Sequence, residues 1–271
     1  MPIINVRSWE SFEKKLRKLR QDEVSAGRET DFLFRGLGDS DLPLATTLER
    51  AGHEGIHVSK YYRNIDRVRP QIETFTGITW KIKMWPEVER LLQNYDAWTL
   101  SGFPEQAAYS YMVHLRHHGF PSPLLDWTRS PYIAAYFAFR SPRKPTKGKV
   151  SICVFSEQPE RFKAGDIGEP QIRRMGPFVT THRRHYLQHS EYTMCVIFEN
   201  EWRFGKHEDV FVLNNPRQDV LWRFNIPWKE RLKVLKLLDS YNLNAFSLFD
   251  SEESLMETLA LRELEFHERT S

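Results

Sequence analysis

The chain has 271 residues, 40% of them apolar, and a formal net charge of +3. That length suits one large domain or a domain with an appendage, and no apolar run approaches the length that spans a bilayer. Two cysteines, Cys153 and Cys195, are too few for a disulfide framework or a structural zinc site.

Met1 to Arg7 lacks the apolar core of a secretory signal. Both cysteines lie in apolar runs and read as buried thiols of a cytoplasmic protein. Ser8 is placed to cap a first helix whose apolar side is Trp9, Phe12, Leu16 and Leu19. With the polar loop from Ser25 to Asp31, residues 1–30 read as a helical lead-in to a core over 31–271, in a single domain. A strand is predicted over Phe32–Arg35. The turn Gly36–Asp41 follows, with Leu42-Pro43-Leu44 leading on to Arg50. Val58 to Tyr109 reads as largely helical, with breaks at Pro70, Pro86 and Pro104. Glu105–His117 is a further helix.

The run Leu124-Leu125-Asp126-Trp127-Thr128 then reads as an apolar strand delivering a carboxylate, an indole and a hydroxyl to a helix start. Ser130 is the predicted N-cap of that helix and Pro131 its first residue. Polar groups and an aromatic face at a strand-to-helix junction suit a nucleotide site. A basic loop, Ser141–Lys149, precedes the strand Val150–Phe155. After a loop around Lys163 to Gly176, strands are predicted at Tyr192–Phe198, Asp209–Leu213 and Asp219–Ile226, the last alternating as a half-buried strand does. Helices at Trp228–Tyr241 and Ser251–Leu264 close the chain, with capping-box spacing between Asp250 and Glu253. The order is that of an α+β fold, without the regular alternation of a doubly wound sheet.

Phe34-Arg35-Gly36, Leu42-Pro43-Leu44 with Arg50, and the block His117, Gly119, Pro121, Leu124–Thr128, Ser130-Pro131 together resemble the FRG domain family. Gln188–Thr193, Ile226-Pro227 and Leu248-Phe249-Asp250 resemble its later elements. The chain departs from that pattern with Arg116 for Gln, His118 for an aromatic residue, Ser122 for Thr, Pro123 for Arg and Ser190 for Gly. A second resemblance, to ADP-ribosyltransferases of the Arg–Ser–Glu type, implies a split β-sheet core with helices before and after it. It also implies NAD as substrate.

On that resemblance Arg35, Gly36, Arg50, Trp127 and Thr128 hold NAD, and Asp126, Gln188, Glu191 and His117 serve the chemistry. Breaking the nicotinamide–ribose bond develops positive charge on the ribose, so the site needs a phosphate anchor and a nearby carboxylate. Gln188 stands where a glutamate is expected and cannot act as a base. The charge therefore falls to Asp126 or Glu191, the latter on the opposite strand face and pointing to solvent. Arg35 is expected to face the surface, so that Arg35→Ala removes NAD binding and spares the fold. Each residue also has a packing reading: Arg35 bracing the Asp39–Asp41 turn, Asp126 paired with Arg129 or capping the helix, Trp127 in the core, His117 as a hydrogen-bonded packing histidine.

The ten histidines show no zinc-like spacing with the cysteines, and no phosphate-loop or serine-elbow motif is present. The acids Glu199, Glu201, Glu208 and Asp209 read as an exposed strand end rather than a metal site. The acceptor slightly favoured over protein is nucleic acid, from the basic loop Arg143–Lys149 and the aromatic–basic stretch Trp80–Trp85. The toxicity of such an activity points to a bacterial toxin–antitoxin or antiphage role, with a neutralising antitoxin as partner and no membrane. The reading from another class is a non-catalytic module that binds a nucleotide or a protein.

Overall fold

In the structure, a computed structural model that describes residues 1–28, 30–92, 104–157, 167–212 and 219–266, strands from both ends of the chain meet in one open sheet. The eight strands among the described residues are β1 (Ile3–Asn5), β2 (Leu33–Leu37), β3 (Leu124–Thr128), β4 (Lys149–Ser156), β5 (Gln171–Arg174), β6 (Ser190–Phe198), β7 (Trp202–Phe204) and β8 (Val220–Pro227). Their spatial order is β1-β8-β4-β2-β3-β6-β5, with β7 also pairing with β6. The β1–β8 pair is parallel and the others are antiparallel. The fold is α+β.

One sheet face carries two separate helical covers. Over β2, β4 and β8 lie α1 (Trp9–Ser25), α6 (Pro131–Phe139) and α9 (Arg231–Ser240), sharing a core with Phe34, Ile152, Val154 and Phe224. Over β3 and β6 lie α3 (Val58–Thr76), α4 (Trp85–Leu92) and α5 (Gln106–His117), sharing a core with Leu124, Tyr192 and Met194. The opposite face packs Leu33, Leu125, Trp127, Cys153, Phe155 and Cys195 against α8 (His207–Val212). Short helices α2 (Thr47–Arg50), α7 (Arg184–Leu187), α10 (Ala245–Phe249) and α11 (Glu252–Ala260), with a π-helical turn at Leu261–Phe266, complete the described chain.

Local chemistry explains the well-placed starts. Ser8 Oγ accepts from the Ser11 amide at 3.3 Å, and Ser130 Oγ accepts from the Ile133 amide at 3.3 Å with Pro131 next to it. Pro86 sits in the first turn of α4 and Pro104 just ahead of α5, where proline is well tolerated. Pro70 does not break its helix. It is exposed within α3, and the packing of that helix rests on Val58, Tyr61, Tyr62 and Ile65 in the turns before it.

Other boundaries differ from the sequence expectations. Ile3–Asn5 forms an edge strand within the expected helical lead-in, and Gln171–Arg174 forms β5 within the expected loop. The expected strand at Asp209–Leu213 is helical up to Val212, because His207, Val210 and Phe211 bury one helical stripe; Leu213 lies outside the described residues. Strand β8 is buried on both faces, Phe224 and Ile226 on one and Leu221 and Arg223 on the other, so its alternation does not mark a solvent side. Ser251, not Asp250, caps α11, in a reciprocal pair with Ser254, while Asp250 takes a left-handed conformation at φ 50°. Both cysteines are buried and neither is in a disulfide, and among the described residues no helix is long and apolar enough to cross a membrane.

Candidate functional site

The sheet opens at its centre. Strand β2 pairs with β4 over five registered positions and β3 with β6 over five, but β2 meets β3 only at Phe34 opposite Thr128. This split lies beneath the gap between the two helical covers, and there a cleft of about 310 Å³ forms. That is at the small end of the range for ligand sites. Residues directly opposite on neighbouring strands share a face. The register therefore brings Gly36, Asp126, Thr128, Ser190 and Tyr192 to the cleft floor. Phe137 of α6, Arg116 and His117 of α5, Gln188, and Phe249 of α10 form the walls.

Gly36 is there for packing. A Cβ at this position would stand 1.9 Å from the Ala134 carbonyl oxygen and 2.6 Å from the Ala138 nitrogen, both backbone atoms of α6. Only glycine lets α6 lie this close to β2.

Arg35 leaves β2 on the opposite face, but its guanidinium lines the cleft from the opening between the strands. Its Nη1 donates to the Asp126 carbonyl at 2.7 Å and lies 3.8 Å from the Asp126 carboxylate. Burial lowers its pKa from the ordinary arginine value. Arg35 is thus mostly enclosed rather than surface-facing, and it bridges the split as well as facing the cleft. The Arg116 guanidinium, from the last turn of α5, donates to the same Asp126 carboxylate. Two arginines therefore share one acid, which leaves net positive charge in the cleft. Arg35 Nε, Arg116 Nε and Asp126 Oδ1 are buried atoms with no protein partner, an arrangement that suits a polar ligand or water.

His117 Nε2 lies 2.8 Å from the Tyr192 hydroxyl. Burial lowers the His117 pKa to about 4 and raises that of the Tyr192 phenol. Both groups are neutral at pH 7 and share one hydrogen bond, donated by the phenol or by the ring N–H according to the tautomer. Because folding lowers the His117 value from 6.5, the unfolded chain takes up the proton first as pH falls. Its contribution to stability is complete above pH 6.5 and is lost toward pH 4. Thermal melts between pH 7 and pH 4 should therefore fall more steeply for the native chain than for His117→Gln.

Other expected site residues are placed differently. The Trp127 indole is buried on the far face, stacked 5.2 Å from Phe155, with its N–H donating to Thr193 Oγ1 at 2.7 Å. Trp127 is still among the residues that line the cleft, as Arg35 is, while its strand neighbours Asp126 and Thr128 lie on the floor, because successive side chains alternate. The Thr128 hydroxyl donates to the Gln188 carbonyl at 2.8 Å, and the Gln188 amide nitrogen donates to the Leu248 carbonyl at 3.0 Å. Both residues line the cleft while tying its wall to the floor. Arg50 is not among the cleft residues; its guanidinium donates to the Ala45 carbonyl at 2.9 Å.

Glu191 does not point to solvent and does not reach the cleft. It is 1% exposed, with its carboxylate held by Arg174 at 2.6 and 2.9 Å and by Arg129 at 3.1 Å. Asp126 accordingly pairs with Arg116 and Arg35, while Arg129 belongs to Glu191. Glu191→Gln should cost about 2 kcal/mol of stability, below the usual loss for a broken buried pair because Arg174 keeps Asp31. It should leave ligand affinity in the cleft unchanged. Urea unfolding and ligand titration of the same variant read the two effects.

Arg116, Tyr192, Ser190, Phe137 and Phe249 are cleft residues the sequence reading did not assign. Strand alternation from Glu191 carries the signal for Ser190 and Tyr192; Arg116 carried one only as the departure from Gln. The stretch Trp80–Trp85 does not offer stacking faces, since Trp80 packs on Tyr111 and His114 and Trp85 lies under Arg63. Among the described residues no cluster of His, Cys, Asp and Glu could hold a metal ion. Glu208 pairs with Arg223, and Glu201 lies 2.7 Å from His57.

Fold and site together define an α+β protein with a basic cleft, bearing one carboxylate, at the split of a mainly antiparallel sheet. Residues 30–147 match the FRG domain family. The match takes in the Arg35-Gly36 strand, α5, the Asp126 strand and α6, while Gln188, Tyr192 and Phe249 lie beyond it. No curated protein and no solved structure matches the chain.

Proposed function

We propose that the protein is an NAD-dependent ADP-ribosyltransferase with an ADP-ribosyltransferase-like split sheet, modifying a macromolecular acceptor. The observation that carries this reading is the meeting of Arg35, Arg116 and Asp126 with the His117–Tyr192 pair in one cleft. Two planar guanidiniums suit a diphosphate, because each offers parallel N–H donors to phosphate oxygens. The Phe137 and Phe249 rings supply apolar surface for a flat heteroaromatic ring. When the ribose–nicotinamide bond breaks, its electron pair leaves with nicotinamide, and the Asp126 carboxylate stabilises the positive charge left on the ribose. The acceptor atom then bonds to that carbon and releases a proton, which neutral His117 can take. An intracellular toxin or antiphage effector, held in check by an antitoxin, is the setting in which this chemistry makes sense.

A second reading has its own observation. Asp126 is already paired with two arginines, and the late-strand acid Glu191 is turned away from the cleft. That pattern favours a nucleotide-binding module without chemistry. Incubation with NAD labelled in its adenylate half, together with DNA, RNA and protein, separates the two. Label retained on a macromolecule supports transfer. Binding of NAD with no label transferred supports the module.

A further inference from the structure

We propose that the segment 176–189, which reaches the cleft wall at Gln188, is a docking surface for single-stranded nucleic acid, the acceptor of the transfer reaction. This rests on the transferase reading for the word acceptor, but the binding surface stands on its own observations. From 176 to 189 the sequence carries two arginines and three histidines and neither Asp nor Glu. Two aromatic rings on it face solvent: Phe178 is 77% exposed and Tyr186 79%. These two stand on pieces of backbone joined through one residue. His185 places Nε2 3.2 Å from the Pro177 carbonyl and stacks its ring on Tyr192 of the cleft floor. The exposed rings are therefore tied to a buried anchor.

The segment also reaches the cleft through its second half. His182 lies 6.3 Å from His117 and 6.2 Å from His118 between ring centres. Arg184 sets its guanidinium 5.5 Å over Phe249, and Gln188 lines the cleft. Arg183, paired with Asp250 at 2.6 Å, keeps its side chain 70% exposed, so a phosphate can take the place of that partner. Exposed aromatic faces interleaved with cations stack bases and follow a sugar–phosphate backbone without reading sequence. The cleft of about 310 Å³ beside them is far too small to admit a duplex. An enzyme acting on a base must take it out of the helix or meet it single-stranded.

The test is fluorescence anisotropy of the full chain, without NAD, with short labelled single strands of DNA and of RNA. Binding should weaken with added salt, as backbone-directed binding does. Phe178→Ala combined with Tyr186→Ala should weaken it about tenfold or more. Phe75→Ala, which removes a ring 91% exposed on α3, should leave it unchanged. Melting curves confirm that both variants are folded. The proposal is overturned if the native chain binds no single strand, if the double variant binds as tightly as the native chain, or if a duplex or an acidic peptide competes equally well. Strand binding without label transfer from NAD would reject the transferase reading and leave the surface standing. NAD transfer to protein alone, with no strand binding, would reject the surface and leave the transferase.

Discussion

Asp126→Asn is expected to cut ADP-ribose transfer about a hundredfold or more, the usual effect of losing a group that meets charge developed in the transition state, while NAD affinity holds or rises. The substitution keeps the shape of the side chain and removes its charge. Arg35 and Arg116, which share this carboxylate at present, are then left with their full field for the diphosphate. A residue that only held the cleft together would weaken binding and rate alike. The cost to stability should be about 1 kcal/mol, because the carboxylate is 38% exposed and water screens the loss. Single-turnover transfer rates beside NAD titrations of the same variant decide the matter. An undiminished rate would remove the last carboxylate available for the mechanism, since Glu191 is fully engaged on the other face, and the binding-module reading would take its place.

Gly36→Ala should be the most damaging glycine-to-alanine change among the described residues, costing on the order of 3 kcal/mol or more. The added carbon would fall 1.9 Å from one backbone atom of α6 and 2.6 Å from another, and neither is the end of a side chain that can swing aside. Helix α6 would have to lift from β2. It carries Phe137, a wall of the cleft, and buries Ile133, Ala134, Ala135 and Phe139 in the same core. Ligand affinity should therefore fall together with the melting temperature. A variant that kept its melting temperature and lost only ligand binding would mean that Gly36 is a ligand contact rather than a packing glycine. Gly38, where an added carbon meets only the Ala138 carbonyl at 3.8 Å, makes a suitable control.

The sequence alone determined the elements whose signals are local. Ser130 and Pro131 define the start of α6 through a side-chain cap and a fixed φ, and both act within one turn. The runs around Phe34 and Leu124 declare strands because apolar residues there are continuous. Alternation within a strand already separates Asp126 from Trp127 and Ser190 from Glu191. It cannot say which face will hold the cleft, because that depends on which neighbours each strand finds. The tertiary structure decided it by pairing β2 with β3 at one position only, so that the split opened on the Asp126 side and Trp127 and Glu191 went to the opposite face. The same holds for the charges. That Arg116 and Arg35 would converge on Asp126 followed from docking α5 and β2 on either side of β3, contacts separated by 10 and 91 residues. Helix α8 shows the limit from the other direction: a run as short as Val210–Val212 suits either period, and only packing against the sheet selected the helix.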